Sequence, residues 1–403
     1  MTEFRVGIVA LASALSLMAV GCGGGSSGSS STQPQTVTTS GQNVASVAVN
    51  GGPTGNYVNG IFTSVTVCVP SSSTCQTIPN MLVDTGSVGI RILSSVLTVA
   101  LPAQTSSGGP VAECLPFVSG FAWGPVDTAD VEIGEEKASA VPVHVLNDLA
   151  FAIPTACSSM GGPSLDTLEQ LGAYGILGVG LFAQDCGGAC AVTGGENPGL
   201  YYQCPSSGCV VIAQALAQQV PNPVAMFASD NNGLILELPA VNGPEATLPG
   251  SLVFGIGTES NNALGSATVY TVDDVGNFTT NFENQSYTAS FLDSGSNGYF
   301  FPTAGTSGLA ECTVDTGFYC PASTENFSAT NQGANGATSS ASFSVANAES
   351  LFTNDGNDAV FNDLGGPGSG GFDWGLPFFF GRNVFVAIEG KSAAGTTGPY
   401  WAF

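Results

Sequence analysis

Residues 81–93 read MLVDTGSVGIRIL, and residues 291–302 read FLDSGSNGYFFP. Both segments carry one pattern: apolar residues, then Asp-Thr/Ser-Gly-Ser, then a glycine and more apolar residues. An aspartate inside an apolar run is costly to bury unless it is hydrogen-bonded or functional. Asp84 and Asp293 lie 209 positions apart, so the chain reads as a duplication with a site assembled from both halves.

The duplication extends beyond these motifs. Gly178, in AYGILGVGLF, follows Asp84 by 94 positions, and Gly375, in FDWGLPFFFGRNVFVAIEG, follows Asp293 by 82. Each half thus holds an Asp-Thr/Ser-Gly-Ser strand and a later apolar strand ending in glycine. The seam falls near Asn231-Asn232-Gly233. Short apolar segments such as NGIFTSVTVCV, ADVEIG, GLILELP and NVFVAIEG are bounded by Gly, Asn, Pro and Ser, which predicts strands and tight turns. Hydrophobic residues make up 43% and charged residues 9%, with 55 glycines, so the chain is globular and β-rich rather than disordered. Helical signals are few: residues 164–173, with Ser164 as N-cap, and residues 210–220.

Thirty acidic residues face five basic ones and a single histidine, His144. That balance excludes nucleic acid, whose binding needs clustered Lys and Arg. It equally excludes direct attraction to an anionic membrane surface. Such a chain loses self-repulsion as carboxylates protonate. The composition fits an acidic working environment and fits an ordinary exported surface protein equally well.

The first 21 residues hold one arginine and an apolar run too short to span a membrane, the pattern of a secretory signal peptide. Ala19-Val20-Gly21-Cys22 resembles a bacterial lipobox, which makes Cys22 the lipidation site and the new N-terminus. Residues 22–43 then form a Gly/Ser/Thr-rich flexible tether. Setting Cys22 aside leaves ten cysteines, enough for five disulfides in an oxidising compartment. Cys68/Cys75 and Cys312/Cys320 read as staples across turns, and Cys114 and Cys157 are the pair left in the first half. The pairing among Cys186, Cys190, Cys204 and Cys209 stays open; an oxidising compartment disfavours zinc there.

These residues resemble the pepsin-type aspartic peptidases across residues 44–403. The resemblance implies a mainly β, bilobal fold: two pseudo-symmetric β-barrel lobes, residues 44–232 and 233–403, with a cleft between them. Val83-Asp84-Thr85-Gly86-Ser87 and Leu292-Asp293-Ser294-Gly295-Ser296 stand as the two catalytic loops. Ile176-Leu177-Gly178 matches the first supporting strand. Trp374-Gly375 matches the second more loosely, because Asp373 occupies a position that is usually aliphatic. The lipobox and extra cysteines suggest one of the little-characterised bacterial lipoprotein families with this architecture.

The resemblance also implies a chemistry. Two carboxylates held close share a proton and titrate as a coupled pair. One acts as general base toward a water; the other donates to the scissile carbonyl oxygen. By resemblance Asp84 and Asp293 take these roles, with no cofactor and no metal. Gly86 and Gly295 let backbone approach the carboxylates. Ser87 and Ser296 bond the outer carboxylate oxygens, and Thr85 and Ser294 cross-link the loops. The family folds a hairpin flap over its substrate; here it starts at Phe117, which stands at the usual tyrosine position, with Phe121 and Trp123 as alternatives facing the cleft. Arg91 stands where the family has a tryptophan that bonds that tyrosine. Three roles are open to it: lowering a catalytic pKa, pairing with an acidic substrate group, or satisfying a local carboxylate.

Other chemistries find little support. A Ser-His-Asp site would need His144, and the G-x-S-x-G at residues 24–28 lies in the tether. The Asn/Asp-rich residues 354–363 read as turns rather than a calcium loop. The glycine-rich residues 365–371 lack the lysine of a phosphate loop. The sequence thus predicts an exported, lipid-anchored, monomeric endopeptidase acting on extended polypeptide. The alternative is a non-catalytic envelope protein that binds a peptide in the same cleft.

Overall fold

The computed structural model describes residues 37–148, 150–302 and 309–403. The signal segment, Cys22 and the G-x-S-x-G stretch lie outside the described residues. In the first half the strands are β1 (Val44–Asn50), β2 (Gly60–Cys68), β3 (Cys75–Asp84), β4 (Val88–Leu93), β5 (Gly109–Phe117), β6 (Gly120–Ile133), β7 (Glu136–Leu146) and β8 (Gly175–Val179). In the second they are β9 (Gly233–Leu238), β10 (Leu248–Phe254), β11 (Phe278–Phe282), β12 (Gln285–Leu292), β13 (Tyr299–Phe301), β14 (Glu325–Gln332), β15 (Thr338–Val345), β16 (Gly365–Pro367), β17 (Asp373–Trp374) and β18 (Arg382–Ala387). Shorter strands complete the sheets.

The two halves repeat one topology. In the first, β3 runs parallel to β8, β8 antiparallel to β4, and β4 parallel to β7. In the second, β12 runs parallel to β17, β17 antiparallel to β13, and β13 parallel to β16. The parallel partner brings Gly178 level with Asp84. It likewise brings Trp374 level with Leu292, and Asp293 N–H donates to the Trp374 carbonyl at 3.1 Å. Both crossings need glycine. A Cβ on Gly178 would lie 2.7 Å from Val88 backbone, and one on Gly375 2.2 Å from the Gly298 carbonyl oxygen.

Burial follows the sequence pattern. β1 alternates buried and outward residues, as expected of a strand with one solvated face. β4 and β8 are buried along their whole length, as central strands covered on both sides must be. The main core holds Val83, Leu177, Leu292 and Trp374 directly beneath the two Asp loops. Each such fully buried large side chain contributes about 1.5–3 kcal/mol.

The halves are joined by more than the cleft. β1 pairs with β2 and also with β10, so the first strand carries one sheet into the second half. The expected seam lies immediately before β9. The tether expected to run through Asn43 is tied down earlier: Thr38 N–H donates to Glu237 at 2.6 Å, and Asn43 Nδ2 to the Phe254 carbonyl at 2.8 Å.

Two helix expectations need correction. Residues 164–173 give a single turn, Leu168–Leu171, capped by Thr167 and ended by Gly172 at φ 69°. Ser164 is bridged to Phe121 and lies before the turn, whose N-cap is Thr167. Residues 210–220 give a strand, Val210–Val211, and a short 3₁₀ turn, Leu216–Gln218. The β-branched Val210, Val211 and Ile212 favour extended backbone, and Cys204–Cys209 closes the hairpin. The remaining disulfides are Cys68–Cys75, Cys114–Cys157, Cys312–Cys320 and Cys186–Cys190. Five disulfides fit an exported globular protein. Among the described residues no helix is long and apolar enough to cross a membrane.

Candidate active site

Asp84 ends β3 and Asp293 follows β12, so the repeated topology delivers both to the same junction. Asp84 is 2% exposed and Asp293 6%. Each carboxylate presses on the other half's glycine. A Cβ on Gly86 would lie 2.6 Å from Asp293 Cγ, and one on Gly295 2.8 Å from Asp84 Cγ. Those two positions admit no side chain.

Each carboxylate is held by its own loop. Gly86 and Ser87 N–H donate to Asp84 Oδ1 at 2.8 and 3.1 Å, and the Ser87 hydroxyl donates to Oδ2. Gly295 N–H donates to Asp293 Oδ1 at 2.8 Å, and the Ser296 hydroxyl to Oδ2 at 3.1 Å. The loops also hold each other. Thr85 N–H donates to Ser294 Oγ at 3.1 Å, and Ser294 N–H to Thr85 Oγ1 at 2.9 Å. The two hydroxyls pass on to the carbonyls of Leu292 (3.2 Å) and Val83 (2.7 Å). This buried cross fixes one loop against the other.

Burial pushes the Asp84 carboxyl up to about 8, and the negative charge of Asp293 adds to it. The hydrogen bonds from Ser87 and Gly86 oppose that rise without cancelling it. A proton therefore resides on the pair across neutral pH. Asp373 adds a third carboxyl. Its Oδ2 lies 2.5 Å from Ser296 Oγ, while its Oδ1 is buried without a partner. Burial, then the charge of Asp293, raises it well above the ordinary carboxylate range.

β5 and β6 form the hairpin expected to serve as the flap, turning between Phe117 and Gly120. Val118 stands 86% exposed at its tip. Phe117 is half-buried, with its ring centroid 5.9 Å from the Arg91 guanidinium. Strand alternation puts Phe121 and Trp123 into a separate cluster with Cys114, Cys157 and Tyr202, where Trp123 Nε1 donates to the Phe151 carbonyl at 3.2 Å.

Residues 39–403 match the family described as protein of unknown function (DUF3443). The chain belongs to this family. No curated protein matches it in sequence. In fold, solved structures match it: an aspartic proteinase from Irpex lacteus superposes with a TM-score of 0.50 at 15% identity, covering 89% of this chain and 96% of that one. This DUF3443 chain therefore has a pepsin-like, bilobal fold.

Arg91 lies wholly buried beneath the flap of this DUF3443 member. Its Nη2 is 3.1 Å from Asp185 and 3.3 Å from Glu113, and its Nη1 donates to the Val88 carbonyl. Of its three expected roles, the contacts are those of an arginine satisfying local carboxylates. The Tyr201 hydroxyl donates to Asp185 at 2.8 Å and accepts from Val220 N–H at 2.7 Å. His144 Nδ1 is 3.2 Å from Glu113 Oε2, and burial lowers the imidazole to about 4, so it is neutral at neutral pH. Burial raises Asp185 well above the carboxylate range. Burial also opposes ionisation of Glu113, but Arg91 and then His144 bring it below its ordinary value. The cluster thus balances as one guanidinium and one carboxylate.

Two further residues of the site were not foreseen. Burial, followed by the charges of Asp84 and Asp293, pushes the Tyr57 phenol up to about 12, and its ring packs edge-on against Phe62 at 5.5 Å. Its ring fits only because residue 172 is glycine; a Cβ there would lie 2.5 Å from it. Asn59 ties the halves together, donating to the Asn297 and Phe361 carbonyls at 2.8 and 2.9 Å. Tyr57 sits in NYVNG, whose sequence reads as a turn and gives no sign of a site. Among the described residues one trio has metal-ligand spacing, Cys312, Cys320 and Glu349, but its thiols form a disulfide.

Proposed function

We propose that this protein is an exported aspartic endopeptidase cutting extended polypeptide. One observation carries the reading: two buried carboxylates, one per half, each packed on the other's loop glycine and each bonded by its own serine. Scaffolding alone gives no reason to bury two like charges together. The raised carboxyl, Asp84, holds the proton and gives it to the scissile carbonyl oxygen. Asp293 takes a proton from the water, whose oxygen forms the new C–O bond. The C–N bond of the hydrated intermediate then breaks as Asp293 returns its proton to the nitrogen and Asp84 takes back a proton from one hydroxyl, which leaves a carboxylic acid and an amine. The Val118 hairpin covers a strand-like substrate.

In this proposal residues 1–21 direct export, Cys22 carries the lipid anchor at the cell envelope, and residues 44–232 and 233–403 are the lobes of a monomer. A second reading, a peptide-binding protein that does not cut, draws on Phe117, which has no hydroxyl to offer a substrate or Arg91. The test is incubation with an unfolded protein from about pH 3 to about pH 9, with new peptide ends identified by mass spectrometry. Cleavage lost in both Asp84→Asn and Asp293→Asn supports the peptidase. Peptide binding without cleavage, by folded protein, supports the second reading.

A further inference from the structure

Away from the dyad, a cleft of about 620 Å³ opens between the β14–β15 hairpin and the start of β18. Asn326 pairs with Ser344 and Ser328 with Ser342 across the hairpin. Side chains alternate along a strand, so these four share one face, opposite that of Phe327 and Phe343. On the Phe343 side of the hairpin the lining includes Tyr299, whose ring centroid is 5.2 Å from that of Phe343, and also Phe380, Asn362 and Arg382.

Arg382 is the unusual member. Its guanidinium stacks 4.3 Å over the Phe378 ring, and Nη1 donates to the Phe378 carbonyl. Among the described residues no carboxylate lies within 4.0 Å of it, although the chain has 30 acidic residues. The other arginine of the fold, Arg91, has two carboxylates. Burial lowers the Arg382 pKa, opposed only by the Tyr299 phenol, and no carboxylate offsets that cost. A guanidinium carries five donors in a fork that fits a carboxylate. Only Nη1 is used here.

We propose that this cleft is a binding site for a small organic carboxylate of peptide size. The carboxylate pairs with Arg382, and the amide or hydroxyl groups of the ligand body meet Asn362. The aromatic lining takes the apolar part, as in other mixed sites. The chain's negative field beyond about 8 Å is screened at physiological salt, so it does not bar a small anion.

The chain has three arginines, Arg5, Arg91 and Arg382, which makes their Nε–Hε resonances a direct probe. The full chain, labelled with ¹⁵N-arginine, is titrated with triglycine, with triglycinamide and with inorganic phosphate. Loss of one resonance in Arg382→Gln assigns it. Triglycine is expected to move the Arg382 resonance and leave Arg91 in place, binding about 10-fold more tightly than the amide. Asn362→Leu, at a half-buried lining position that leaves Arg382 intact, is expected to weaken triglycine about 10-fold. It keeps the test open if Arg382→Gln does not fold. Equal shifts from acid and amide would overturn the proposal, as would no shift at tens of millimolar. A stronger response to phosphate than to triglycine would also overturn it, because the cleft would then read a bare anion and not a carboxylate with a body.

Discussion

The Ser296 hydroxyl lies 2.5 Å from Asp373 and, on its other side, 3.1 Å from Asp293. A hydroxyl has one proton to give. When Asp373 is protonated, it can donate to Ser296, and Ser296 can then donate to Asp293. When Asp373 is charged, it takes the Ser296 proton, and Asp293 loses its outer donor and gains a like-charged neighbour.

Asp373→Asn keeps a donor beside Ser296 and removes the charge. A carboxyl whose pKa is raised by folding supports stability below its unfolded value, and that support is lost as pH rises through the folded value. Asp373 is raised, so the wild type should lose stability above the ordinary carboxylate range. The variant should not, and should gain about 1–3 kcal/mol at neutral pH. Chemical denaturation at several pH values checks this. A variant less stable than wild type at neutral pH would mean that the charged Asp373 is needed.

The proton on the dyad sets the upper limit of activity. Asp84 is pushed up to about 8, so cleavage should persist through neutral pH and fall as pH rises through that value. Asp84→Asn should lower kcat by at least about 10²–10⁴-fold while leaving the fold intact. A pH–rate profile and single-turnover kinetics measure both. A basic limb far below neutral would contradict a proton held on this pair.

The cross between Thr85 and Ser294 positions the two loops. Ser294→Ala removes the acceptor for Thr85 N–H and leaves that amide buried, at a cost of about 1–3 kcal/mol. Thr85→Val should cost a similar amount by stranding Ser294 N–H. The double variant should lose less than the two singles added, because the groups form one network. Denaturation midpoints of the three variants decide this. Full additivity would mean that the cross is not a unit.

The duplicated core of the fold was legible because its residues have no ordinary alternative. Asp inside an apolar strand and glycine at a strand crossing are both costly unless the topology needs them. The pairings that bring Asp84 level with Gly178, and Leu292 level with Trp374, follow from that repetition. Local cysteine spacing likewise gave Cys68–Cys75 and Cys312–Cys320. Tyr57, Asn59 and the partners of Arg91 were not legible, because they are brought together by long-range packing. Glu113 in VAECLPF was a signal passed over: a lone acid in an apolar strand, like Asp84. The helix expected at residues 210–220 failed because apolar spacing cannot distinguish a short amphipathic helix from a disulfide-closed hairpin.

Glu113 and Arg91 are both 0% exposed, and they test whether this buried pair holds the flap base in place. Arg91→Met removes the cation and leaves Glu113 with a neutral His144 for company. Breaking a buried pair on one side costs about 3–5 kcal/mol. The pH dependence should also change sign. In the wild type Glu113 is lowered, so its contribution is present above the ordinary glutamate value and is lost as pH falls through the lowered one. In Arg91→Met burial acts on Glu113 without the main opposing charge, its pKa rises, and stability should improve on acidification. The double variant Arg91→Met/Glu113→Leu buries no unpaired charge and should recover most of the loss. Urea midpoints from about pH 4 to about pH 8 separate the cases. Because Arg91 also sits under Phe117, the single variant should show faster proteolytic nicking at the flap tip, and the double variant less. A single variant as stable as wild type with unchanged pH dependence would mean that Glu113 finds another partner and that the pair does not hold the flap.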